Sequence, residues 1–122
     1  MPRSHKLYVL VRADLPPGLQ GAQAAHAAFH FSVDHPDLTA RWVRDSNYLI
    51  LLAVPDEQAL LRLTRRVEAA GVTFSLVREP DMADEATAVA VAPSRSARVF
   101  ANLPLFGRDF ADGSEEVIDV SA

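Results

Sequence analysis

The sequence predicts a single layered α/β domain, a four-stranded mixed sheet between helices in the order β-α-α-β-α-β-β-α. Three observations carry that expectation. Apolar runs of strand length alternate with segments of helical periodicity, the pattern of sheet and helix layers stacked on one another. The chain has 122 residues, room for one core and not two. Its residues are 49% hydrophobic and 23% charged, which is globular composition and excludes a disordered or collagenous chain.

The first strand is expected over residues 6–12, Lys-Leu-Tyr-Val-Leu-Val-Arg, a continuous apolar run suited to a strand covered on both faces. Residues 14–18, Asp-Leu-Pro-Pro-Gly, then enforce a stiff loop. Residues 20–33 are rich in alanine (Ala22, Ala24, Ala25, Ala27, Ala28), which favours a helix whose backbone lies close against a sheet. Pro36 permits a new helical start after Asp34 and His35, so residues 38–43 around Trp42 form a short second helix that Asp45, Ser46 and Asn47 end. Residues 48–54 are a second buried strand. Asp56 caps the next helix, Glu57 adds an acidic first turn, and Leu60, Leu63, Val67 and Ala70 recur at helical spacing until Gly71 stops it. Residues 72–78 and 87–92 supply the third and fourth strands. The short loop between them makes that pair antiparallel. Pro93 and Ser94 open a last short helix ending near Leu103, and an acidic tail follows over residues 107–122.

Composition also narrows the chemistry. There is no cysteine, which removes disulfides, zinc-thiolate sites, iron-sulfur clusters and thiol nucleophiles. The apolar run at residues 7–11 is too short for a signal segment or a membrane span, so a cytoplasmic chain without membrane association is expected. The net charge of −4 belongs to the tail, where Asp109, Asp112, Glu115, Glu116 and Asp119 face only Arg108. Residues 1–106 are neutral, and the total does not exclude a polyanionic partner. Lys6 is the only lysine, so an anion site must use arginine or backbone amides.

Two groups of residues could carry chemistry. Gln23, His26 and His30 fall at i, i+3 and i+7 and so project from one region of the alanine-rich helix near the stiff loop. His26 and His30 have metal-ligand spacing, but the local sequence supplies no third ligand; ordinary structural or exposed histidines are the other reading. Glu79, Asp81, Asp84 and Glu85 crowd the loop leaving the third strand, where α/β sheets present functional groups. They are either a solvated acidic turn or carboxylates that raise one another's pKa, with Arg12 and Arg78 as possible partners. Gly-x-Ser-x-Gly, P-loop and Gly-x-Gly-x-x-Gly fingerprints are absent.

The strand at residues 7–12, the run Val11-Arg12-Ala13-Asp14-Leu15 and the helix segment Ala22-Gln23-Ala24-Ala25-His26-Ala27-Ala28 resemble the opening of peptidyl-tRNA hydrolases of the archaeal and eukaryotic type. The resemblance continues in order through residues 54–60 (Val-Pro-Asp-Glu-Gln-Ala-Leu), 75–78 (Ser-Leu-Val-Arg) and 87–93 (Thr-Ala-Val-Ala-Val-Ala-Pro), covering roughly residues 6–105. It implies hydrolysis of the ester between a peptide and the 3′ ribose of tRNA, with no metal or cofactor and peptidyl-tRNA or acyl-tRNA as the partner. The family's helix glutamine falls on Gln23, its histidine on His26, its loop aspartate on Asp14 and its last-strand threonine on Thr87. Two departures stand out. The family's loop lysines have no counterpart among Pro16, Pro17, Gly18, Leu19, Gln20 and Gly21, and the aspartate after the third strand becomes Glu79, followed by Pro80 and Asp81.

The resemblance therefore implies that Glu79, or failing it Asp81, orients a water toward the ester carbonyl while Gln23 and Thr87 hold the carbonyl and ribose. Arg12 or the amides at Gly18 and Gly21 would replace the lysine at phosphate, with Asp14, Gln20 and His26 completing the substrate side. The alternatives are a tRNA- or ligand-binding module without turnover, and a transferase or lyase using the same cleft. Phe100, Leu103, Leu105 and Phe106 suggest an apolar surface for a homodimer.

Overall fold

The computed structural model describes residues 5–94, 100 and 102–107 of the chain. Its elements are β1 (Lys6–Arg12), α1 (Pro17–Asp34), α2 (Pro36–Asp45), β2 (Tyr48–Val54), α3 (Glu57–Ala69), β3 (Phe74–Glu79), a 3₁₀ turn (Pro80–Met82) and β4 (Glu85–Val91). The strands form one mixed sheet in the order β2-β1-β4-β3. β1 runs parallel to β2, and β4 is antiparallel to both β1 and β3. β1 and β4 occupy the centre of the sheet, where both faces are covered. β2, expected to be a buried strand from its continuous apolar run, instead lies at the edge, with Tyr48 exposed and Leu49, Ile50 and Leu51 only partly buried.

Each face of the sheet carries its own core. Leu7, Val9 and Val11 of β1 pack with Ala24, Ala27 and Phe31 of α1 and with Val77, Ala88 and Ala90, while Leu38 and Trp42 of α2 close that side. On the other face Leu10, Leu52, Val54, Val89 and Val91 pack with Ala59, Leu60 and Val67 of α3. Phe31, Leu10 and Leu60 are fully buried, each worth roughly 1.5–3 kcal/mol relative to exposure. The small alanines of α1 bring its backbone close to the sheet, and that closeness is what lets a polar α1 side chain reach a strand.

Several expected boundaries shift for physical reasons. α1 begins at Pro17 rather than Gln20, because a proline at the first helical position has the right φ and gives up an amide that would lack a helical partner anyway. The stiff loop is correspondingly short. α2 extends at both ends to Pro36–Asp45. β3 begins at Phe74 because Val72 still belongs to the end of α3, its amide donating to Val67 O at 3.2 Å, with Gly71 at φ 75° making the turn. β4 starts two residues early, at Glu85. Asp56 caps α3 as expected, its Oδ1 accepting from Ala59 N at 2.9 Å.

Pro93 and Ser94 are not helical, and most of the last helix expected up to Leu103 lies outside the described residues, as does the acidic tail from residue 108 onward. The apolar residues expected to face a second copy are used inside the domain. Phe100 is buried with its ring 5.0 Å from that of Tyr8, and Leu103 and Leu105 pack against the α3-side core. Phe106 packs on the α1 side. Residues 104–106 also cover the outer edge of β2, through Ala53 N donating to Pro104 O and Phe106 N donating to Leu51 O. No described helix is long and apolar enough to cross a membrane.

Candidate active site

One end of the sheet gathers the residues singled out from the sequence. β1 ends there at Arg12, β2 at Val54 and β3 at Glu79, and β4 begins there at Glu85. The N-termini of α1 and α3 follow β1 and β2 at the same end. Functional groups from four strands and two helices can therefore converge although they are far apart in sequence.

The decisive local feature is a β-bulge. Val77 of β3 faces Ala88 of β4, yet the next residue, Arg78, faces Ala86, so Thr87 is an extra residue in β4. The strand's alternation breaks at this point. Ala88 and Ala90 lie on the α1 face, whereas Ala86 lies with Val89 and Val91 on the α3 face. In an unbroken strand Thr87 would face α3, but the bulge turns it toward α1. There its Oγ1 donates to Gln23 Oε1 at 2.6 Å, and it lies 3.5 Å from Val77 O. Thr87 is 0% exposed and Gln23 3%. The threonine takes the carbonyl oxygen of the glutamine amide and leaves its Nε2 with no partner among the described residues. A buried amide donor without an acceptor is costly to keep in a fold.

Below the bulge lies an ionic cluster. Arg12, 7% exposed, donates from Nε and Nη2 to the two carboxylate oxygens of Asp14, both at 2.9 Å. Its Nη1 donates to Glu85 Oε1 at 2.6 Å and to Ala86 O at 3.1 Å. The hydrogen bond from Arg12 holds the Asp14 carboxyl below the usual aspartate range, and its counterpart raises the guanidinium further above its ordinary value against the opposing effect of burial. Arg12 is thus committed to two carboxylates and a carbonyl and is not presented as a cation for phosphate. Glu57, in the first turn of α3, accepts the amide of Ala86 at 2.9 Å through Oε2.

The glycine-bearing start of α1 is open. Pro16 provides no side-chain cap, the first turn holds no acidic residue, and helical bonding begins with Gln20 N donating to Pro16 O. The amides of Gly18 and Leu19 have no acceptor among the described residues, which is the arrangement that favours an anion. Gly21 lies two residues past these free amides, beyond the bonded Gln20 amide. Gln20 Nε2 latches the preceding loop by donating to Leu15 O at 2.6 Å and Ala13 O at 3.2 Å.

Gln23, His26 and His30 do not form one polar face. Gln23 turns into the sheet, while His26 and His30 are exposed with ring centroids 6.2 Å apart. No group of three potential metal ligands occurs among the described residues. Glu79 is half-buried and by strand alternation shares the α1 face with Val77 and with Ser75, which bonds Asp34 of α1 at 2.9 Å. Its carboxylate has no hydrogen-bond partner or ion pair among the described residues. Asp81 is exposed on the 3₁₀ turn. The four acids of the turn are separated in role: Glu85 pairs with Arg12, and Asp84 is engaged through its backbone, whose carbonyl accepts from Arg78 at 3.1 Å.

The profile of the peptidyl-tRNA hydrolase PTH2 family matches residues 5–104, the strands and helices just described. This chain belongs to that family. A search of the curated proteins finds no match. Of the four residues that the resemblance singled out, Gln23 and Thr87 are in contact, Asp14 anchors Arg12, and His26 is exposed. Two features escaped the sequence reading. Glu57 looked like an ordinary acidic first turn, and the bulge at Thr87 lies inside a uniformly apolar run in which a one-residue slip leaves no mark on the pattern.

Proposed function

We propose that this PTH2 domain hydrolyses the ester joining a peptide or an acyl-amino acid to the 3′ ribose of tRNA, using no metal or cofactor. The observation that carries the reading is the buried Thr87–Gln23 pair, which orients an amide and leaves Nε2 as a free donor. Glu79, on the same face, takes a proton from a water that attacks the ester carbonyl, and Gln23 Nε2 donates to the oxyanion as it forms. The ester C–O bond then breaks, and the proton held by Glu79 passes to the departing 3′ oxygen. A preorganised donor at such an oxyanion is commonly worth about 10²–10³ in rate. Thr87 is fully buried and acts through Gln23, so it positions and does not itself touch substrate.

The exposed amides of Gly18 and Leu19 support a phosphate site at the start of α1, in place of the family's loop lysines. Asp14 and Gln20 shape the adjoining loop, and His26 lies on the exposed side of the helix. Asp81, exposed on the neighbouring turn, is the substitute base if Glu79 is dispensable. We place this machinery in residues 1–106 of a cytoplasmic enzyme, with 107–122 as an acidic tail. If the chain pairs with itself, exposed Phe29 and Val33 of α1 are the better surface.

The test is single-turnover hydrolysis of an N-blocked aminoacyl-tRNA, with and without chelator, for wild type, Gln23→Leu, Glu79→Gln and Asp81→Asn. Chelator-insensitive turnover lost in Gln23→Leu and Glu79→Gln is expected. Full rate in both carboxylate variants would overturn the mechanism. The amides of Gly18 and Leu19, which would hold a phosphate without any catalytic carboxylate, support a second reading, a recognition module that binds tRNA without turning it over. Salt-dependent tRNA affinity with no hydrolysis by wild type would establish it.

A further inference from the structure

We propose that Glu57 is a positioning residue for the Thr87–Gln23 pair, acting from the opposite face of the sheet through the backbone of Ala86. The inference rests on the reading of that pair as part of a hydrolytic site. Ala86 is the residue on which the bulge turns, being the first β4 residue back in register with β3 after Thr87. Both of its backbone polar groups are held by side chains from other elements. Its N–H donates to Glu57 Oε2 of α3 at 2.9 Å, and its carbonyl accepts from Arg12 Nη1 of β1 at 3.1 Å. The paired register between β1 and β4 stops at Val11 and Ala88, so these side chains complete the bonding that the strands no longer supply.

The consequence for Thr87 is geometric. Returning β4 to regular alternation would require Ala86 to move by one register position, and a clamp on its N–H and carbonyl opposes that movement. Two charge-assisted hydrogen bonds on one fully buried residue make a stiff anchor. The helix does not need the Glu57 carboxylate for itself, because Asp56 already caps α3 by accepting from Ala59 N. Glu57 is free to serve the strand, and by holding Ala86 it keeps the Thr87 hydroxyl aimed at Gln23.

The experiment compares full-length wild type with Glu57→Ala, Glu57→Gln and, as a control, Glu68→Ala, an exposed acid on the same helix. Steady-state hydrolysis of N-blocked aminoacyl-tRNA is measured alongside the NMR signals of the Ala86 amide and the Gln23 side-chain amide. Glu57→Ala is expected to lower kcat about tenfold or more with KM unchanged, since small misplacements of catalytic groups are costly. It should also increase Ala86 amide exchange and shift the Gln23 side-chain signals. Glu57→Gln keeps an acceptor oxygen and should restore both to near wild type, and Glu68→Ala should change neither. Wild-type kcat with unmoved Gln23 signals in Glu57→Ala would overturn the proposal, as would Glu57→Gln falling as far as Glu57→Ala. If wild type hydrolyses nothing, the functional reading fails and the Gln23 and Ala86 signals alone decide the inference. Should Glu57→Ala not fold, Glu57→Asp, one methylene short of Ala86, is measured in its place with the same expectations.

Discussion

Removing the hydroxyl of Thr87 while keeping its shape isolates the interaction on which the site depends. Thr87→Val deletes the donor to Gln23 Oε1, a 2.6 Å bond between groups that are 0% and 3% exposed. Water cannot readily replace it there, so the stranded carbonyl oxygen costs about 1–3 kcal/mol. Gln23→Leu strands the hydroxyl instead, leaving it only Val77 O at 3.5 Å, for a loss of about 1–2 kcal/mol. The double variant replaces both partners by apolar groups and strands neither. Its loss should therefore fall short of the summed single losses by about 1–2 kcal/mol. Urea unfolding followed by circular dichroism measures all four proteins, with two-state behaviour expected for a single domain of this size. Turnover separates from stability, because the double variant recovers stability yet still lacks Nε2 and stays about 10²–10³ below wild type. A coupling energy under about 0.3 kcal/mol, or wild-type turnover in Gln23→Leu, would refute the reasoning.

Other perturbations test neighbouring parts of the argument. Asp14 has a folded-state pKa below its unfolded value, so its stabilisation is complete above about pH 4 and is lost as pH falls through the depressed value. Asp14→Asn should cost about 1 kcal/mol at pH 7, a figure kept small by its partial exposure, and the gap from wild type should close as thermal melts are taken to lower pH. Asp56→Ala removes the cap of α3 and should cost about 0.5–2 kcal/mol in urea unfolding. Ala83 sits at φ 55°, so Ala83→Gly should range from neutral to about 1 kcal/mol stabilising, read as a raised melting temperature. Phe31→Ala empties the centre of the α1-side core and should cost about 3–5 kcal/mol, read from the shift in urea midpoint.

Much of this protein was legible along the chain. β1 and β2 have the bounds their apolar runs imply, and α3 starts at its aspartate cap and ends just before its glycine. Those signals act within a few residues, through side-chain periodicity and the unpaired amides of a helix start. The start of α1 was misplaced because two consecutive prolines suggest a loop, although the second is well suited to open a helix. The ordered motifs, with Gln23, His26, Asp14 and Thr87 among them, also pointed to the family.

Residue types along the chain could not say what those groups touch. Arg12 at the end of β1 suits either a phosphate or the acids after β3, and only the fold selects between them: it meets Glu85, 73 residues away, and is neutralised. Phe100 and Leu105 looked like a surface for another copy and instead cover the domain's own core and strand edge. Thr87 lies in a run whose apolar pattern is the same in either register, and only pairing with β3 selects the bulge that sends its hydroxyl toward Gln23, 64 residues away. Local periodicity specifies which segments become strands and helices because its energetics are settled between near neighbours. The direction of a single buried hydroxyl is settled by hydrogen bonds between distant segments, and these exist only once the sheet has closed.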